Sequence, residues 1–270
     1  MNRIITEYTT GRSIAALAVV FLLVTGSAYS QPADESLTLD QYMEMGISSP
    51  DRIWGAADYS EAVEALTSVS KNALPRLGSA RSGALFARMI STENLLPPGG
   101  VRQVIDSGME VAGANIQRLV EYSRTVPPLL MLYVDQNPGV QGHSAEVTRV
   151  SLFALQTAAA SVDLAYAFLA TQPKETMNSP RIVSARKQMS DGLDQTLNGL
   201  LDMVSQEEHF RSDDVAYLAD GLRREVPPIF KYLSAAQKKS MRTKIQKIAA
   251  KHKNSRVRES LKGLLAAVKK

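Results

Sequence analysis

Residues 145–171, AEVTRVSLFALQTAAASVDLAYAFLAT, carry the longest unbroken helical pattern beyond the N-terminal region, with neither glycine nor proline to interrupt it. At about 100° per residue, Val150, Phe153, Ala160, Leu164 and Phe168 fall on one side of such a helix. Leu152, Leu155, Ala159, Val162, Tyr166 and Leu169 fall nearly opposite. A helix that is apolar on two sides is stable in water only when neighbours cover both, so this one is expected inside a layer of other helices. Arg149, Gln156 and Asp163, at successive steps of seven, draw a single narrow polar line along it. Its alanines allow close helix contact. The segment therefore places the protein in the all-α class.

Moving toward the N-terminus, Arg3 and Arg12 flank a polar lead to residues 14–24, IAALAVVFLLV, which small and polar residues follow. Eleven apolar residues fall short of the ~20 needed to cross about 30 Å of hydrocarbon, and the order of segments is that of an export signal. Ala28-Tyr29-Ser30 has small residues at the cleavage spacing, so residues 1–30 are read as a signal peptide that is removed. The expected location is periplasmic or secreted. The 240 residues from Gln31 onward are enough for a helical core without covalent staples. Cysteine is absent, which excludes disulfides, a lipid-modified cysteine, thiol catalysis and cysteine metal sites. No transmembrane span is expected after signal cleavage, because Arg149 and Asp163 interrupt the most apolar remaining segment.

The net charge of +4 hides a division. Residues 31–222 hold 14 Lys and Arg against 24 Asp and Glu, and residues 223–270 hold 15 against 2. The sequence thus reads as an acidic helical body, 31–222, and a basic C-terminal helical pair, 223–270, packed on that body.

Local signals mark further helices. A short one is expected at 39–45. Asp58 and Glu61 have capping-box spacing before Ala62, Val63, Leu66 and Val69. Ser79 is expected to cap the helix of Leu85, Phe86, Met89 and Ile90, and Pro97 to Gly100 is a break. Helical spacing returns from Val101 to Thr125, where Gly108 and Gly113 favour two shorter pieces. Ser179-Pro180, Ser212, Ser234 and Ser255 open the remaining helices, and both Val-Pro-Pro triplets, at 126–128 and 226–228, are expected to interrupt one.

Pro75, Pro127, Pro180 and Pro227 recur at intervals of 52, 53 and 47 residues, each expected at a helix junction. The architecture is accordingly either an irregular helical bundle or a short HEAT-like α-solenoid of about nine helices. The likeness to HEAT-type repeats is one of general character, which transfers no function.

Catalytic constellations are weak. His143, His209 and His252 stand in three separate segments without metal-ligand spacing, and Glu207-Glu208-His209 with Asp213 and Asp214 reads as a solvated loop. Ser-x-x-Lys occurs at Ser68–Lys71 and again at Ser184–Lys187, without the Ser-Asp-Asn and Lys-Thr-Gly companions of penicillin-interacting enzymes. Gly99-Gly100 reads as a turn in preference to an anion cradle, and Trp54, the sole tryptophan, reads as core. No catalytic residue, metal ligand or cofactor is assigned.

What stands out is the basic block. In the helix that Ser234 opens, Met241, Ile245, Ile248 and Ala249 form one stripe. Lys238, Lys239, Arg242, Lys244, Lys247 and Lys251 cover most of the remaining circumference and are the expected binding residues. In the last helix Val257, Leu261, Leu264, Leu265 and Val268 face inward. With an export signal, the partner is an acidic protein, anionic lipid head groups or envelope polysaccharide. Few aromatic residues accompany the lysines, which disfavours nucleic acid. The expected function is that of an exported, non-enzymatic binding or scaffolding protein of a bacterial-type cell envelope. The alternative is a hydrolase of an envelope polymer, whose carboxylates only the fold brings together.

Overall fold

The computed structural model describes residues 53–68, 74–135, 139–173 and 177–269. The export signal, the helix expected at 39–45 and part of the first Ser-x-x-Lys motif lie outside these residues. Among the described residues there is no strand, and nine α-helices follow one another along the chain. They are α1 (Ala56–Ser68), α2 (Gly83–Met89), α3 (Gly100–Asp106), α4 (Met109–Val134), α5 (Ser144–Ala170), α6 (Pro180–Ser205), α7 (Ser212–Ile229), α8 (Ala235–Lys251) and α9 (Ser255–Val268). Contacts divide the chain into two compact units, with residue 168 the last of one and residue 169 the first of the other. Charge and packing divide the chain at different places, since the change of sign after residue 222 falls inside α7.

In the first unit α5 is the core. Among residues 144–157 only Arg149 and Gln156 are not buried, so the polar line predicted from the sequence is the one part of this stretch that escapes burial. Phe153 meets Tyr59 of α1 and Tyr122 of α4 at ring centroid distances of 6.1 and 6.4 Å, and those two tyrosines lie 4.7 Å apart. Such offset or edgewise aromatic contacts add about 0.5–1.5 kcal/mol per pair beyond the area they bury. Trp54 is in this core as expected. Its carbonyl accepts a 3.0 Å bond from the Tyr122 hydroxyl, and its backbone N–H donates to Asn94 Oδ1. Residues 140–170 are long and apolar enough to cross a membrane, a property that a buried core helix shares. Burial weakens past residue 157, and Ala159 is half-buried.

The caps show where sequence rules held and where they slipped. Gly108, at φ 102°, separates α3 from α4, a conformation that a side chain would strain, whereas Gly113 lies within α4 without breaking it. Asp58 is in the first turn of α1 and accepts from the Gly55 N–H at 2.7 Å, so it bonds back to the cap instead of being the cap. Ser234 and Gln237 form the full reciprocal capping box of α8, and Ser179 caps α6. Asn254, and not Ser255, caps α9 by accepting from the N–H groups of Arg256 and Val257. Ser212 is the first residue of α7 and not its cap.

Both Val-Pro-Pro triplets lie inside helices, where breaks were expected. A proline in a helix interior removes one hydrogen bond and crowds the carbonyl four residues back, a cost of about 3 kcal/mol. Here Val126, Leu129 and Leu130 of α4, and Val226, Ile229 and Phe230 at the end of α7, are all buried, and their packing holds the helical course through the prolines. The four recurrent prolines therefore occupy unlike places. Pro180 starts a helix, and Pro127 and Pro227 are within helices.

In the second unit α9 packs on α7 and α8, and α6 packs on α7 and α8. The core comprises Leu193, Leu197, Leu200 and Val204 from α6, Val215, Leu218 and Leu222 from α7, Met241 and Ile245 from α8, and Val257, Leu261, Leu264 and Val268 from α9.

The enclosure of α5 is open to test. Leu155 is fully buried and Gln156 is not. Leu155→Asp is expected to yield no cooperative unfolding transition, because an unpaired buried charge costs several kcal/mol against a total stability of about 5–15. Gln156→Lys should cost no more than about 1 kcal/mol. Urea denaturation followed by circular dichroism measures both, and a native-like Leu155→Asp protein would refute a buried α5.

Candidate functional site

The six basic residues expected to bind are all on α8, but the structure sorts them into two groups. The sorting follows from where each lies relative to the buried stripe of Met241, Ile245, Ile248 and Ala249. Residues bordering a buried stripe can lay their apolar stems along it and reach neighbouring polar groups. Arg242 does so on one flank. Its Nε donates to the Val268 carbonyl at 3.0 Å and its Nη2 at 2.5 Å, closing the C-terminal end of α9, and its guanidinium lies 5.2 Å from the Phe230 ring centroid. Lys244 does so on the other flank. It forms a 2.8 Å ion pair with Asp202 and donates to the Asn198 carbonyl at 2.9 Å, both on α6. Lys238 donates to the Lys231 carbonyl at 3.2 Å and is only half-exposed. These three side chains fasten α8 to its neighbours.

Lys239, Lys247 and Lys251 point the other way. All three are exposed, and their side chains have no hydrogen-bond or ion-pair partner among the described residues. At 1.5 Å and 100° per residue, they span about 18 Å of helix within an arc of about 120°. Thr243, Gln246 and Ala250 are exposed among them, so this ridge offers charge without a large apolar side chain.

Arg256 of α9 is neutralised within the unit. It pairs with Asp220 at 2.7 Å, and the Ser260 hydroxyl donates to the other oxygen of that carboxylate. Burial alone would raise the Asp220 pKa, but the bonds from Ser260 and Arg256 outweigh it and hold the carboxyl below its ordinary value. On α6, burial and the neighbouring Asp191 push Asp194 above the usual carboxylate range. Asp191 itself is held by Lys187 and by Gln237 of α8, so this carboxylate helps join α6 to α8.

The loop around His209 is less solvated than its sequence suggests. Glu207 accepts from the Lys253 N–H at 2.8 Å and lies 3.4 Å from Nδ1 of His252, while Asp214 is buried and pairs with Arg211. His252 is itself buried, with Nε2 2.9 Å from the Val204 carbonyl and Nδ1 accepting from the Asn254 N–H. Among the described residues no group of three or more His, Asp or Glu is placed to hold a metal ion. The second Ser-x-x-Lys motif has its lysine engaged with Asp191. The N–H groups of Gly99 and Gly100 are bonded to Gln103 Oε1 and the Pro97 carbonyl, so neither is free to meet an anion.

The sequence did not single out the polar cluster at the start of α5. Glu146, only 2% exposed, accepts from Arg76 Nε at 3.0 Å and from the Leu77 N–H at 2.9 Å. Arg76 also donates to the Gly142 carbonyl, and the Tyr133 hydroxyl donates to that of Pro75. His143 is 5.7 Å from the Tyr133 ring and 7% exposed, and its Nδ1 is buried without a hydrogen-bond partner. An acidic residue in a first helical turn was the available signal. It could not identify an arginine seventy positions away.

No known protein family, curated protein or solved structure matches the chain. What fold and surface define is an all-α protein with a cationic ridge on its penultimate helix.

Two predictions follow from these environments. Arg242→Ala should lower stability by about 1–3 kcal/mol, since it deletes bonds from a charged donor to a helix C-terminus, whereas Lys239→Ala should stay within about 0.5. Urea midpoints decide it, and equal effects would contradict the division of the basic residues. Burial, reinforced by Arg76 and opposed by Glu146, holds the His143 pKa below its ordinary value. Below about pH 6.5 the unfolded chain therefore binds more protons at this site than the native one, and stability falls as pH drops. The fall in urea midpoint from pH 7.5 to 5.5 is expected to be larger in the wild type than in His143→Gln. Parallel profiles would show that His143 titrates alike in both states.

Proposed function

We propose that this chain is an exported, non-enzymatic helical binding protein of a bacterial-type cell envelope, and that it engages an anionic partner through α8. The observation that supports this reading best is the ridge of Lys239, Lys247 and Lys251, whose side chains have no partner among the described residues. Three ammonium groups along one exposed arc attract a polyanion over roughly a Debye length, about 8–10 Å at moderate salt. The ridge lacks aromatic residues for base stacking and large apolar residues for insertion into a bilayer. Its contact is electrostatic, suited to lipid head groups, an envelope polysaccharide or an acidic protein. The export pattern in residues 1–30 supports the extracytoplasmic setting. We read the architecture as an irregular bundle in preference to a HEAT-like solenoid, because the recurrent prolines occupy unlike positions in their helices.

The test is co-sedimentation with vesicles containing phosphatidylglycerol, and separately with an anionic polysaccharide and an acidic protein, at low and high salt. Binding to at least one arm is expected at low ionic strength, with loss at about 1 M salt, where the Debye length is about 3 Å. Lys239→Glu, Lys247→Glu and Lys251→Glu combined should abolish it while helicity is retained. If none of the three probes binds at low salt, or if the triple variant binds as the wild type does, the reading fails.

A further inference from the structure

A cleft of about 270 Å³ opens in the first unit, far in sequence from the lysine ridge. Ile53, Pro97, Val104 and Val111 supply its apolar lining, and Glu93, Gln103, Ser107, Asn115 and Arg118 its polar lining. Ile53 and Val111 are 48% and 41% exposed, so large apolar side chains stand open at this place.

Most of the polar groups are already occupied. Gln103 Oε1 accepts from the Gly99 N–H, the Ser107 hydroxyl donates to the Gln103 carbonyl, and Asn115 donates to the Val111 carbonyl while accepting from Arg118. Two charged groups remain. The Glu93 side chain is exposed, with no hydrogen bond or ion pair among the described residues. Arg118 is half-buried and is fixed through Nη2 to the Leu95 carbonyl and Asn115, yet it has no carboxylate partner, and its Nε is buried without any partner. Burial draws its pKa below the ordinary value, the direction expected of a cation removed from water without a counter-charge, with Tyr122 opposing.

A half-buried guanidinium is stabilised by a carboxylate, which here would meet Nη1, since Nη2 already makes two bonds and Nε is buried. An unengaged carboxylate in the same lining complements an ammonium group. We infer that the cleft binds a small zwitterion with an apolar body, a free apolar amino acid or dipeptide. Its carboxylate meets Arg118, its ammonium meets Glu93, and its side chain lies against Ile53, Val104 and Val111. At about 270 Å³ the cleft lies near the lower end of the roughly 300–1,000 Å³ of small-ligand sites, which suits a ligand of one or two residues. The inference is independent of the lysine ridge.

The test titrates the full mature chain with L-leucyl-L-leucine, monitored by calorimetry and by protein NMR shifts. N-acetylated and C-amidated forms of the same dipeptide remove one charge at a time. Saturable binding is expected, weakened at least about tenfold by either cap, as loss of one charge-assisted contact implies. Arg118→Gln, Glu93→Gln and Val111→Glu should each weaken it to a similar degree. Arg118 also holds the Leu95 carbonyl, so if Arg118→Gln does not fold, Glu93→Gln on its exposed turn and the two capped dipeptides decide. No saturable binding, undiminished binding of either capped form, or unchanged affinity in Glu93→Gln would each overturn the assignment.

Discussion

Almost complete enclosure of the first half of α5 is the constraint on which the first unit depends. Within residues 144–157 there is scarcely an unburied position, so neighbouring elements must supply apolar or hydrogen-bonded groups all round the helix. They do so with large side chains reaching from a distance, Tyr59 from α1 and Tyr122 from α4, both meeting Phe153. The polar residues in this half are satisfied locally where they can be. Thr148 and Thr157 donate to carbonyls one helical turn back, which lets hydroxyls be buried without a partner helix. Glu146 is instead met from another element by Arg76 and the Leu77 N–H, and the buried Ser151 hydroxyl has no partner among the described residues.

The second unit uses charge where the first uses aromatic packing. The acidic side of α6 and the basic flank of α8 meet through Lys244 and Asp202, and α7 meets α9 through Asp220, Arg256 and Ser260. Exposed pairs of this kind contribute little each, about 0–1 kcal/mol, and chiefly set which faces of already apolar helices come together. The basic block is thus partly a structural counterpart to the acidic residues that precede it. Of the six basic residues on α8, only Lys239, Lys247 and Lys251, which face away from the apolar stripe, have side chains without a partner among the described residues.

The proline pairs show how tertiary packing decides against a local rule. Both Val-Pro-Pro triplets precede two large apolar residues, and in each case those residues are buried and the helix runs on through the prolines. The local signal for a break was genuine, since the lost hydrogen bond and the ring clash are real costs. Burial of Leu129 with Leu130, and of Ile229 with Phe230, offsets them. Gly108 is the opposite case. No packing competes with a backbone that only glycine adopts readily, and the break appears at Gly108, one of the two glycines where the sequence allowed it.

The sequence alone determined the all-α class, the two-sided burial of the first half of the central helix with its polar line, the inward stripes of α8 and α9, and the cap at Ser234. Each depends on the spacing of residues within one or two turns, which a helix imposes on its own sequence whatever surrounds it. Tertiary structure alone decided that Arg242 and Lys244 are fasteners while Lys239, Lys247 and Lys251 have no partner among the described residues, that Glu146 answers to Arg76, and that Arg118 and Glu93 line one cleft without pairing. Those relations join residues from different elements. A lysine's role depends on whether a carbonyl or carboxylate of another helix lies within about 3 Å, and periodicity within one helix carries no information about that distance.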